Sequence, residues 1–207
     1  MDYRRAFRAA AVSFVDLVSR LPEGRWDETA LGEWTLRDLV GHTVSSGLRQ
    51  VPAALATPAG EVAVETPAAY FGLARTVPAE TYAAAIKAST EDARETGQSL
   101  GDQPAAVIGD LAGQATQALA AVEDDAVVLT AGGGMRVRDW LPTRTFELVV
   151  HGMDVAAAAG VDAGFAAGVT AEATMLAAAI AVEIGDGPDV LRALTGRGRL
   201  PETYSAV

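Results

Sequence analysis

In the segment Arg144-Thr145-Phe146-Glu147-Leu148-Val149-Val150-His151-Gly152-Met153-Asp154, polar residues 144, 147, 151 and 154 recur at steps of three, four and three. That period puts all four on one face of a helix. Phe146, Val149, Val150 and Met153 flank the stripe, so a packed helix carries Glu147 and His151 toward the interior or toward the wall of a cavity. A bare carboxylate there is costly to bury. A divalent cation removes that cost, because Glu147 and His151, at i and i+4, reach one ion from the same face, as paired ligands on metalloprotease helices do.

The chain has two histidines, and the other one lies in a second stripe, Asp38, His42, Ser45 and Arg49, spaced by four, three and four. Two facing stripes offer one ion two imidazoles and a carboxylate. That set suits zinc, nickel, iron or manganese and leaves coordination positions open for water or substrate. His42, Glu147 and His151 are therefore the candidate metal ligands. The spacing is equally compatible with a buried Glu–His hydrogen-bonded pair and with His42 capping a carbonyl. Asp38 and Asp154 can orient the imidazoles as acceptors; Asp38 also suits a helix start, and Asp154 an exposed position. Arg144 and Arg49 can take a substrate or cofactor carboxylate, balance Glu147, or form surface salt bridges. Arg144, Asp154 and Asp38 are the candidate catalytic residues and Arg49 the candidate cofactor-binding residue. Ser45-Ser46-Gly47 shows no nucleophile-elbow pattern, and no further histidine exists to act as a base, which argues against serine hydrolysis.

At 207 residues and 50% apolar content the chain suits one well-filled core, residues 1–160, with a C-terminal helical extension over 161–207 packed on the same domain. A net charge of -11 argues against nucleic acid and anionic membranes, which are bound by neutralising phosphates, and leaves a small-molecule or protein partner. Self-association as a homodimer through an apolar helix face is a further expectation. With no cysteine the protein supplies no disulfide, thiolate ligand or catalytic thiol, so sulfur chemistry needs an external thiol. Met1 to Leu21 superficially suggests a signal peptide, but Asp16 interrupts the apolar run, and Phe7, Ala11, Phe14, Val18 and Leu21 share one helix face. No stretch reaches the roughly 18 uncharged apolar residues of a membrane span. A cytoplasmic location is expected.

The patterns predict a helix over Tyr3–Arg20, a loop through Trp26 and Trp34, and a second helix from the Thr35 N-cap to about Leu55. A short helix near Ala68–Ala74 follows. Helices from Pro78 to Ser99 and from Pro104 to Val122 read as a pair or as one interrupted helix. Ala126–Thr130 and Met135–Arg138 form a small hairpin around Ala131–Gly134, which is a turn and not a phosphate cradle. Pro142 and Thr143 open the helix that carries Glu147 and His151 to about Gly160, and Thr170–Ile184 forms another.

The segment W-D-E-T-A-L-G-E-W-T-L-R-D-L-V-G-H from Trp26 to His42, with R-T-F-E-L-V-V-H-G-M-D from Arg144 to Asp154, resembles the DinB-like proteins and most closely the mycothiol-dependent maleylpyruvate isomerase family. L-R-A-L-T-G-R and the following L-P, within Leu191 to Pro201, are similar to the tail of many relatives. The resemblance implies a mainly α, DinB-like four-helix bundle in which His42, Glu147 and His151 together bind a divalent metal, typically zinc. It implies further that the metal binds a low-molecular-weight thiol such as mycothiol and stabilises its thiolate, for S-transfer to a small electrophile or for its isomerisation. The isomerase proper carries a larger C-terminal domain that contributes to its active site, where this chain has a short extension. Two other readings stand beside this one: a metal-dependent hydrolase of a small amide or ester, and a non-catalytic binder of a small hydrophobic molecule.

Overall fold

The apolar stripe at the start of the chain becomes helix α1 (Tyr3–Ser19), whose N-terminus is capped by Asp2 accepting from the Arg5 N–H. Phe7, Ala11, Phe14 and Val18 are buried along it. The computed structural model of the protein describes residues 2–207. Thr35 and Asp38 then form a capping box that starts α2 (Leu36–Val44), and the same helical run continues through a wide turn, Ser45–Arg49, into α3 (Gln50–Leu55). In that wide turn the Gln50 N–H reaches back to the Ser45 carbonyl, five residues away, which gives the turn one residue more than an α-helical one. The remaining helices are α4 (Pro67–Gly72), α5 (Ala79–Ser99), α6 (Pro104–Ala120), α7 (Val137–Ala159), α8 (Ala167–Glu183) and α9 (Gly187–Leu194).

These helices build a mainly α four-helix bundle. α7 packs against α1 and α2, α5 packs on α2, and α6 packs on α1 and α3. Phe7, Phe14, Leu39, Leu48, Ile108 and Leu148 are wholly buried between them. The C-terminal helices are appended to this bundle: α8 lies on α4, α7 and α1, and α9 lies on α8. Among the described residues no helix is long and apolar enough to cross a membrane.

Three local features differ from the sequence patterns, and one alternative is decided. The stretch read as a loop through Trp26 and Trp34 contains an antiparallel pair, β1 (Thr29–Leu31) with β2 (Trp34–Thr35), turned at Gly32 with φ +57°. It is too short to show an alternation. The second hairpin, β3 (Val127–Thr130) with β4 (Gly133–Arg136), turns at Ala131-Gly132, so its second strand begins at Gly133 and not at Met135. The reason is that residues 57–64 lie against this hairpin, with the Ala63 and Val64 N–H groups donating to the Gly134 carbonyl. A Cβ at position 134 would stand 2.0 Å from the Glu61 carbonyl oxygen, so the glycine serves close backbone approach within a strand. α7 starts at Val137, ahead of Pro142, because Val137, Trp140 and Leu141 are buried and packing extends the helix across the proline. α5 and α6 are separate helices, broken at Gly101 with φ +60°.

Candidate metal centre

α2 and α7 meet with their polar stripes facing. His42 comes from α2, and Glu147 and His151 come from consecutive turns of α7. The Nε2 atoms of His42 and His151 are 3.3 Å apart; Glu147 Oε2 is 3.3 Å from His151 Nε2 and 4.0 Å from His42 Nε2. Donor atoms held about 2.0–2.1 Å from a tetrahedral ion stand about 3.3–3.4 Å from one another. The three atoms thus outline one face of such a polyhedron, slightly opened on the His42–Glu147 edge. All three side chains are largely shielded from solvent, at 15%, 15% and 23% exposure for His42, Glu147 and His151. The group is one that can hold a metal ion.

The outer ring nitrogens are occupied in a way that favours this use. His151 Nδ1 lies 3.3 Å from Asp154 Oδ2, and His42 Nδ1 lies 3.3 Å from the Ser89 hydroxyl of α5. An acceptor at Nδ1 fixes the proton there and turns the Nε2 lone pair inward. α5 can come so near because glycine meets glycine. A Cβ on Gly41 would stand 2.1 Å from the Ala93 carbonyl oxygen, and one on Gly97 would stand 2.5 Å from the Arg37 carbonyl oxygen. The indole of Trp34, on β2, covers His42 with ring centroids 4.8 Å apart.

Charge is divided unevenly within the group. Burial drives the His42 imidazole down to about 4, reinforced by the charge on His151. Burial also opposes charge on His151, but hydrogen bonds to Asp154 and Glu147 outweigh it and push this imidazole up to about 9. For Glu147 burial is again the largest influence and raises the value. It is overcome by the hydrogen bond to His151 and the nearby Arg144, which hold the carboxyl at about 2.

The other sequence candidates are placed as follows. Arg144 is 2% exposed and donates to Thr143 Oγ1, the Ser46 carbonyl and Gln50 Oε1, with its guanidinium 3.9 Å from Glu147 Oε1. Asp154 sits beside His151. The Asp38 carboxylate accepts from the Thr35 N–H in the capping box, which is its helix-start alternative. Arg49 is exposed and donates to Thr96 Oγ1 on α5, and Ser45 likewise donates to Asp92 of α5. Ser89, Asp92 and Thr96 are the neighbours that the sequence patterns did not single out, and their only sequence signal is a run of polar residues on an otherwise exposed helix. Trp34 lies in the stretch read only as a loop.

Ser89→Ala is expected to weaken metal affinity about tenfold, since removing the partner of a ligand imidazole costs about 10–100-fold. The melting temperature of the metal-free protein should hardly move. Competition with a chromophoric chelator measures the first and circular dichroism the second; unchanged affinity would show that Ser89 does not orient His42.

Fold and site together define a helical-bundle protein with a candidate mononuclear centre made of two histidines and a glutamate. Residues 7–156 match the family model described as the mycothiol maleylpyruvate isomerase N-terminal domain, and the chain belongs to that family. No curated protein and no solved structure matches the chain.

Proposed function

We propose that the protein is a metal-dependent enzyme, with zinc the best-fitting ion, that uses a low-molecular-weight thiol such as mycothiol for S-transfer to, or isomerisation of, a small electrophile. The observation that carries this reading is the convergence of two imidazole Nε2 atoms and one carboxylate oxygen within 4.8 Å, in a chain of a mycothiol-linked family that itself contains no cysteine. A divalent cation in such a site lowers the pKa of a thiol or water it binds, so that a nucleophile is available near neutral pH. His42, Glu147 and His151 would hold it.

The other residues have supporting roles in this reading. Asp154 and Ser89 orient the imidazoles. Arg144 keeps the Glu147 carboxylate charged and in place from behind. The Trp34 ring shields the His42 side of the site from water. Asp38 secures the start of the helix that carries His42, and Arg49, exposed at the end of the wide turn, is available to a carboxylate on the thiol.

The test is turnover of an electrophilic double-bond substrate by the metal-loaded protein, with and without added mycothiol. Activity only with the thiol is the expected result. Hydrolysis of an ester or amide without any thiol would replace this reading by the hydrolase. A cavity of about 720 Å³, walled by Ala68, Phe146, Met175, Leu176 and Val182 and touching none of the three ligands, favours a second reading as a binder of small hydrophobic molecules. That reading predicts binding which survives removal of the metal.

A further inference from the structure

On the side of α1 that faces away from α7's stripe, a second apolar groove of about 820 Å³ runs between α1 and α6. Its α1 wall includes Ala11, Val12 and Val15; its α6 wall includes Gly109, Gly113 and Thr116. Val12 is 68% exposed, in a helix whose other apolar face is buried. The floor is low: a Cβ on Gly113 would meet nothing within 4 Å, and one on Gly109 would meet only Val15, at 3.9 Å. The α6 side brings no charged residue to the groove, and the α1 side brings two, Arg8 and Asp16.

Those two charges stand four residues before and four residues after Val12. At a rise of about 1.5 Å per residue, each lies about 6 Å along the helix from Val12, on the same side of it. If a second α1 is laid antiparallel across the first at Val12, Arg8 of each helix comes level with Asp16 of the other. Arg8 is exposed and has no hydrogen-bond or ion-pair partner among the described residues. Asp16 is 68% exposed and uses Oδ2 for Arg20, at 3.1 Å, which leaves its other oxygen for a second cation. A two-fold interface must be self-complementary, and this arrangement of charge about Val12 is. Two copies that each carry a charge of -11 repel over most of their surface, so a patch whose own charges cancel is where they can approach.

From this we infer that the protein forms a two-fold dimer through the α1–α6 groove, with Val12 of each copy seated over the small residues of α6 and reciprocal Arg8–Asp16 pairs on either side. The dimer is independent of the metal centre.

Sedimentation equilibrium of the full chain tests it. The wild type should show a monomer–dimer equilibrium. Arg8→Asp alone and Asp16→Arg alone should each weaken the dimer about tenfold or more, because each sets like charges opposite one another. The double variant, Arg8→Asp with Asp16→Arg, should restore the dissociation constant to within about threefold of the wild type, which only this pairing predicts. Val12→Glu should abolish the dimer. All three substituted positions are at the surface, and circular dichroism confirms that each of the four variants is folded. A wild type that stays monomeric at every concentration would overturn the proposal, as would single charge reversals without effect or a double variant no tighter than the singles. A dimer broken by Leu191→Glu and not by Val12→Glu would overturn it too, and would place the contact on the exposed apolar face of α8 and α9 instead.

Discussion

Alanine at His42 or at His151 is expected to leave the purified, untagged protein almost free of bound metal, against about one ion per chain in the wild type. Plasma mass spectrometry on the three proteins measures it. The size of the effect follows from the geometry: with one imidazole gone, two donor atoms remain, and among the described residues no further histidine, aspartate or glutamate belongs to the group. Uptake should also be coupled to a proton. In the metal-free protein the raised value of His151, about 9, keeps that imidazole charged at pH 7, while the lowered value of His42, about 4, keeps its Nε2 lone pair free. A metal ion must displace the proton of His151 and none from His42. About one proton is therefore released per ion at pH 7, and apparent affinity rises about tenfold per pH unit up to about 9. Above that value His151 is already neutral and the dependence flattens. Calorimetric zinc titrations in two buffers of different ionisation enthalpy count the proton. A metal-free wild type that also fails to take up zinc, nickel or manganese would remove the basis of the proposed enzyme, leaving the three side chains as a hydrogen-bonded cluster.

Much of this site was legible because a polar residue inside an apolar helix has to be explained. The period at Arg144, Glu147, His151 and Asp154 is carried by an unbroken α-helix, and the structure keeps these four on neighbouring turns. The stripe of Asp38, His42, Ser45 and Arg49 was less reliable. Asp38 lies in the first turn, where orphan N–H groups claim its carboxylate. Ser45 and Arg49 bound a turn wider than the α-helical one, so a period of 3.6 no longer tells which way they point, and both face α5. α5 itself was visible as a helix, but nothing in its sequence says that Ser89 meets His42. That contact depends on Gly41 and Gly97 bringing two backbones together across 56 positions of sequence, and a glycine pair at that separation has no local signature. Trp34 was hidden differently: its hairpin is shorter than any alternation that would reveal it. Packing, not propensity, also set where α7 begins.

Arg144 shows most clearly how the surroundings of the site decide its chemistry. Arg144→Met is expected to destabilise the metal-free protein by about 3 kcal/mol, near the low end of the cost of breaking a buried pair by removing one partner. The substitution keeps most of the side-chain volume between Tyr70 and Trp140, whose rings lie 5.3 Å and 5.7 Å from the guanidinium carbon. It removes the donors to Ser46, Gln50 and Thr143, and it takes away a positive charge 3.9 Å from a carboxylate that is only 15% exposed. Two parts of this cost can be separated. The unsatisfied acceptors are lost whether or not a metal is bound. In the metal-free variant the carboxylate keeps the charged His151, 3.3 Å away, as a positive neighbour, and the further part that Arg144 contributed is supplied by a divalent ion at Glu147 once metal is bound. Urea unfolding of wild type and variant, each without metal and with saturating zinc, should therefore give a smaller difference in the presence of zinc. An equal difference in both conditions would mean that Arg144 acts on the fold through packing and hydrogen bonds alone and that Glu147 keeps its charge without it. A difference that vanished with zinc would mean the reverse, with the whole contribution of the arginine electrostatic and directed at the carboxylate.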